Sequence, residues 1–218
     1  GWIVSEEAFM QPLRKVISKL KLRASYGQVG NANLGGRRFA YLSTITADYD
    51  PLNMYKWGLD SSYGLTGMAE GEFAVQDLTW EIVNKMNLGV ELGFLNGMID
   101  LQLDYFDERR KDIFMPRESV PMTAGFMKQP WKNFGKVTNQ GVEVSLNVNK
   151  QFGKDLFVSL MGTFTYAHNE ITEKDEPSAV VGTNRAETGH PVGQLTGYIA
   201  EGLFTADDFE DVSTGKLK

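Results

Sequence analysis

Any chemistry in this 218-residue chain would have to come from a few small groupings of residues. Asp104 and Asp107 are a carboxylate pair of the kind a glycosidase uses as acid and base. Acids at such spacing are more often solvated charges, and nothing singles out a particular pair. The run Gly30-Asn31-Ala32-Asn33-Leu34-Gly35-Gly36 has the glycines of a phosphate-cradling loop but lacks the Lys-Ser/Thr that completes one. It opens no evident helix, and a loop tip is the better reading. The acidic run 207–211 does not have the ligand spacing of an EF-hand. His168 and His190 are the only histidines and cysteine is absent, which leaves no basis for a catalytic triad, a thiolate site or a histidine-rich metal site. The expectation is a protein with no enzyme activity, no metal and no cofactor.

Composition narrows the class further. The formal net charge is −6 and the pI near 5.1, so there is no basic footprint for nucleic acid. Residues 1–7 have neither the basic nor the apolar region of a signal peptide. No apolar run is long enough for a membrane helix. Barrel strands need only about 9–11 alternating residues, which hydropathy windows barely register. The 23 glycines and 11% aromatics fit an all-β chain with many turns.

The strongest element signal lies between Glu81 and Asp107. Met86, Leu88, Val90, Leu92 and Phe94 occupy even positions, whereas Ile99, Leu101, Leu103 and Tyr105 occupy odd ones. A two-residue Asn96-Gly97 turn of type I′ accounts for the change of parity. The implied register sets Phe94 opposite Ile99, Val90 opposite Leu103, Glu91 opposite Gln102 and Lys85 opposite Glu108. One face is then apolar and the other polar, and a one-residue slip would destroy the separation. A second hairpin follows, with Val142 to Val148 alternating against Leu156 to Tyr166; pairing Val148 with Leu156 keeps the apolar residues together. Residues 20–29 alternate as well. Ser5, Glu6 and Glu7 resemble a helix start, and apolar residues at helical spacing predict a short helix near 6–18, with Pro12 against it. Residues 38–60 carry aromatic β pieces (Phe39, Tyr41, Tyr49, Tyr55, Trp57) broken by Asp50-Pro51. Residues 58–78, 108–134 and 169 onward read as long loops.

Parity alone does not say whether an apolar face meets a protein core or lipid. A soluble β-sandwich or small barrel that binds carbohydrate remains the alternative. Three features favour a membrane barrel. The strand Glu81–Phe94 far exceeds the roughly 5–6 residues usual in globular sheets. Aromatics (Trp80, Phe94, Tyr105, Tyr166) sit near strand ends, where interfacial girdles belong, and the polar face carries mid-strand charge. Short turns also alternate with long connections, as in barrels whose short turns are periplasmic and long loops extracellular.

Several segments resemble the carboxyl-terminal half of the SusC/RagA family of TonB-dependent outer-membrane transporters. They are Trp2-Ile3-Val4-Ser5-Glu6-Glu7, Leu20 to Asn31, Asp77-Leu78-Thr79-Trp80-Glu81 leading to Lys85 to Val90, and Asp104-Tyr105-Phe106 with Asp112-Ile113-Phe114. Further along come Asn133 to Glu143, Thr163 to Asn169, Gly189-His190-Pro191-Val192-Gly193, Gly197-Tyr198 and Gly202-Leu203-Phe204. They run in family order over nearly the whole chain. The resemblance implies an all-β, antiparallel up-and-down meander, part of a barrel of about 22 strands with a plugged lumen, of which residues 1–218 supply about a quarter to a third. The plug, the TonB-contacting box and the remaining strands are expected to lie outside these residues. It implies a Gram-negative outer-membrane location and import of oligosaccharide or peptide nutrients. The implied partners are a SusD-like surface lipoprotein, TonB through the plug, and the lipid bilayer. Arg23, Lys85, Glu91, Asp100, Asp104 and Glu143 are expected to face the lumen. Phe126, Trp131 and Tyr198 are candidate loop contacts to substrate or lid, with loop-on-loop packing as their alternative role.

Overall fold

The computed structural model describes residues 1–47, 55–57, 63–65, 67–126, 128–200, 202–211 and 213–217. Tyr49 and Asp50-Pro51, assigned above to an interrupted β region, fall outside them. The strands are β1 (Trp2–Ile3), β2 (Ile17–Asn31), β3 (Ile45–Thr46), β4 (Tyr55–Trp57), β5 (Tyr63–Leu65) and β6 (Ala69–Glu70). They continue with β7 (Glu81–Phe94), β8 (Ile99–Pro116), β9 (Trp131–Phe152), β10 (Leu156–Glu173), β11 (Phe209–Asp211) and β12 (Lys216–Leu217). One antiparallel sheet carries the architecture, in the order β1-β2-β7-β8-β9-β10. The other pairings are two-stranded: β3 with β6, β4 with β5 and β11 with β12. The meander matches the all-β, up-and-down expectation.

The β7–β8 register is the one the turn predicts, from Phe94 opposite Ile99 to Lys85 opposite Glu108. Asn96 and Gly97 take φ of +57° and +82°, as a type I′ turn requires, and Leu95 is also left-handed at +52°. The β9–β10 register differs from the expectation. Phe152 pairs with Leu156 and Val148 with Leu160, so the turn is Gly153 to Asp155 and Val148 meets a partner four residues further on. An even displacement preserves every side chain's face, and parity therefore could not exclude it. At the amino end, 3-10 turns span Val4–Glu6 and Ala8–Leu13, and β2 begins at Ile17, inside the range expected to be helical. Pro12 removes an α-helical donor, and its neighbours fold into tighter turns.

The strands also outrun their predicted ends. β8 continues to Pro116 and β9 starts at Trp131, which shortens the connection expected over 108–134 to residues 117–130. Across the sheet, apolar residues form rows: Leu22, Val90, Leu103, Val144 and Phe164, and next to it Ala24, Leu88, Tyr105, Val142 and Tyr166. The following row on the same face reads Tyr26, Met86, Asp107, Gln140 and His168. There the apolar stripe stops, and the strands go on with mainly polar residues on this face. On β10 the stripe runs from Leu156 to Tyr166, about 33 Å along the strand. At the roughly 40° tilt of a membrane barrel it would stand about 25 Å high.

No element covers this stripe among the described residues. The buried apolar side chains are Val4, Met10, Ala40, Val75, Val83 and Ile171, none of them on it. Leu103 at mid-sheet is 37% exposed and Phe164 on β10 is 61% exposed. The described sheet is a single layer. Its two tight turns (95–98, 153–155) lie at one end with the connection 4–16, and the connections 32–80, 117–130 and 174 onward lie at the other.

Candidate functional site

The polar face of the sheet gathers most of the charge singled out in the sequence. Register aligns Arg23, Gly89, Asp104 and Glu143 in one row, with Lys21, Glu91, Gln102 and Ser145 in the next. Gly89 has no side chain, so the Arg23 guanidinium crosses over β7 and reaches a strand to which β2 is not hydrogen-bonded. Its Nη2 donates to both carboxylate oxygens of Asp104, at 2.8 and 2.9 Å. Gln102 Nε2 donates to the same carboxylate at 2.8 Å. A Cβ on Gly89 would collide with Asp104 Oδ1 and stand 3.0 Å from Arg23 Nε.

Glu91 collects three cations: Lys19 Nζ at 2.7 Å, Lys21 Nζ at 3.1 Å and Arg23 Nε at 3.0 Å. The Arg23 Nε contact is an ion pair without hydrogen-bond alignment. Asp104 is only 8% exposed, and its charge is tolerable there because Arg23 and Gln102 replace its water. Arg23, Glu91 and Asp104 thus form one network. Lys85 belongs to a separate pair with Glu108 at 2.7 Å. Asp100 and Glu143 flank the network, exposed and without an ion pair among the described residues.

Lys19 and Lys21 were not among the candidates, although they share Arg23's parity and so its face. Two further polar groups were not among the candidates. Asn133 Nδ2 donates to the carbonyls of Thr79 (2.9 Å) and Asp112 (2.8 Å), and Asn133 Oδ1 accepts the Thr79 N–H at 3.0 Å. It thereby pins the start of β7 and a bulge in β8 where Asp112 is left-handed, with φ +58°. Asp175 accepts from Arg117 Nε at 2.8 Å, from the Ser119 hydroxyl at 3.0 Å and from its N–H at 3.3 Å. Burial by itself raises the Asp175 carboxyl, but these donors outweigh it and hold the group below its usual value.

The three aromatic candidates separate. Trp131 lies 5.1 Å from the Phe114 ring, with the Arg37 guanidinium 4.2 Å from its centre. Phe126 meets Phe73 edge-to-face at 5.5 Å. Phe126 packs between two long connections, whereas Trp131 packs at the start of β9 against β8 and the 32–80 connection. Tyr198 is fully exposed. The minor groupings have structural roles as well. Asn31 and Asn33 accept backbone N–H groups two residues on, and the acids at 208 and 211 bond Thr205 and Ser213.

The site is therefore a charged sheet face backed by an uncovered apolar one. Residues 13–208 match the family model described as TonB dependent receptor-like, beta-barrel. The chain belongs to this family. Its members are outer-membrane transporters and receptors. The TonB-dependent receptor SusC of Bacteroides thetaiotaomicron is 33% identical over 174 residues, covering 79% of this chain and 16% of SusC. The TonB-dependent receptor P39 of Formosa agariphila is 29% identical over 209 residues, covering 95% of this chain and 19% of its own length. Among solved structures, the RagAB peptide transporter superposes with a TM-score of 0.65 at 23% identity, covering 87% of this chain and 20% of that one. That likeness speaks for the fold. Together these relatives bear out the SusC/RagA resemblance. The chain spans less than a fifth of the length of SusC and P39.

Proposed function

We propose that residues 1–218 form part of the wall of a TonB-dependent transporter in a Gram-negative outer membrane, which imports oligosaccharide or peptide nutrients with a SusD-like lipoprotein. The observation that carries this reading is the uncovered apolar stripe, bounded at both ends and backed by a charged face. Lipid would cover Leu88, Val90, Leu101, Leu103, Val144 and Leu146. Arg23, Lys85, Glu91, Asp100, Asp104 and Glu143 would face the lumen. The short connections would be periplasmic, and the long ones would meet substrate and lid. TonB would act through a plug outside these residues, and the barrel wall performs no covalent step. The RagAB peptide importer among the solved structures, 25% identical, supports a nutrient cargo. The soluble-sandwich alternative needs a second layer on the stripe, and no described residue lies there.

Spin labels at Val90 and Leu103 test the assignment. Collision with lipid-soluble oxygen, together with protection from an aqueous quencher, is the expected result in bilayers. Labels shielded from both, in a chain that is monomeric and monodisperse without detergent, would overturn it.

A further inference from the structure

Among the described residues β10 ends the sheet, and its far edge is unpaired over most of its length. The exception is at its carboxyl end. There Ile171 N–H donates to the His190 carbonyl at 2.9 Å, and Gly189 N–H donates to the Ile171 carbonyl at 2.8 Å. Gly189 has φ +85°. Two residues facing one, the first a left-handed glycine, is a G1 bulge, a feature of paired antiparallel strands. It fixes the register that follows, with His190 opposite Ile171. The pairing stops two residues later, where Asn169 Oδ1 takes the Val192 N–H at 2.7 Å in place of a backbone carbonyl and a turn, closed by Gln194 N–H on the Pro191 carbonyl at 3.1 Å with Gly193 at φ +75°, carries the chain off the edge. Beyond it, Leu195 and Ile199 are more than 90% exposed.

Extending the bulge register sets Leu195 opposite Tyr166, Gly197 opposite Phe164 and Ile199 opposite Gly162. All fall on the apolar stripe, with glycine facing a large side chain at two of the three positions. Gln194, Thr196 and Tyr198 fall on the polar face. Tyr198 stands opposite Thr163, in the row of Glu91 and Gln102.

We propose that the Pro191–Gln194 turn opens in the intact wall and that Val192 to Ala200 is its next strand, paired with the free edge of β10 in the register set by Gly189 and His190. The proposal rests on the wall reading in one respect: hydrocarbon around that edge leaves its backbone groups no water to bond.

The chain has no cysteine, so engineered pairs report cleanly. In the chain held in bilayers, Tyr166→Cys with Leu195→Cys, and Gly162→Cys with Ile199→Cys, should each form an intramolecular disulfide. Directly opposed strand residues lie within disulfide reach. Val90→Cys with Leu103→Cys serves as the in-sheet reference. The off-face pair Tyr166→Cys with Gln194→Cys should link at least tenfold less. Reference linkage without either edge linkage would overturn the proposal, as would links between molecules, which mean that a second copy takes the edge. In the unsubstituted chain, the outward N–H groups of Thr163, Thr165 and Ala167 should exchange at least tenfold slower than free amides. Exchange at the free rate would overturn it as well. Edge disulfides without lipid contact at Leu103 would keep the strand and remove the wall reading. Lipid contact without edge disulfides would do the reverse.

Discussion

Gly89 shows how one missing side chain shapes the charged face. Glycine within a strand ordinarily weakens it, but here it opens the path by which Arg23 reaches Asp104. Gly89→Val is expected to push the guanidinium away and lower stability by about 2 kcal/mol, the worth of a charged hydrogen bond. Arg23→Met should cost about 3 kcal/mol because it strands a nearly buried carboxylate. The double change Arg23→Met with Asp104→Leu should recover most of that loss. Denaturant unfolding in micelles measures all three, and a double variant no better than Arg23→Met would refute the coupling. Asp175 gives a pH prediction. Its lowered pKa means that its contribution is complete above the usual aspartate value of 3.8 and is lost as the pH falls below it. Hydrogen exchange of 174–192 should rise only in that acid range, and Asp175→Asn should raise it already at neutral pH. The face of Arg23, Glu91 and Asp104 was legible in their parity. Their joining was not, because it depends on β2, distant in sequence, lying beside β7. Asn133 and Asp175 were invisible for the same reason: their partners are 21 to 58 residues away.

Among the elements, legibility followed the contrast between faces. Where one face is apolar, alternation revealed β2, β7 and the first half of β8. From Glu108 to Asp112 both faces are polar, and the sequence there resembles a loop although the ladder continues to Pro116. The turns tell a similar story. Asn96-Gly97 has a backbone preference strong enough to set its register, whereas Gly153-Lys154-Asp155 left several even registers open. Leu95 is the strained residue of the first turn, since left-handed φ costs a branched side chain roughly 1–2 kcal/mol. Leu95→Asn should therefore stabilise the hairpin by about 1 kcal/mol, and Gly97→Ala should destabilise it by about as much. Unfolding midpoints of the two variants should move in opposite directions; movement the same way would mean that packing, not backbone strain, governs the turn.

For the molecule as a whole, the deciding property is what covers the apolar stripe. Leu103→Arg should cost about 2–4 kcal/mol in a bilayer, whereas Ser145→Arg, one row away on the polar face, should be nearly neutral. Folding yield into lipid vesicles separates them, and equal losses would mean that both faces are buried in protein. By itself the sequence determined the strand class, the two-faced pattern and the β7–β8 register. These follow from local backbone preference and period-two alternation, which neighbouring residues carry. The tertiary structure alone decided the β9–β10 register, the reach of the strands past the stripe, the Arg23–Asp104 bridge and the bareness of the apolar face. Each of these depends on which distant segments become neighbours, and a period of two has no means of recording that.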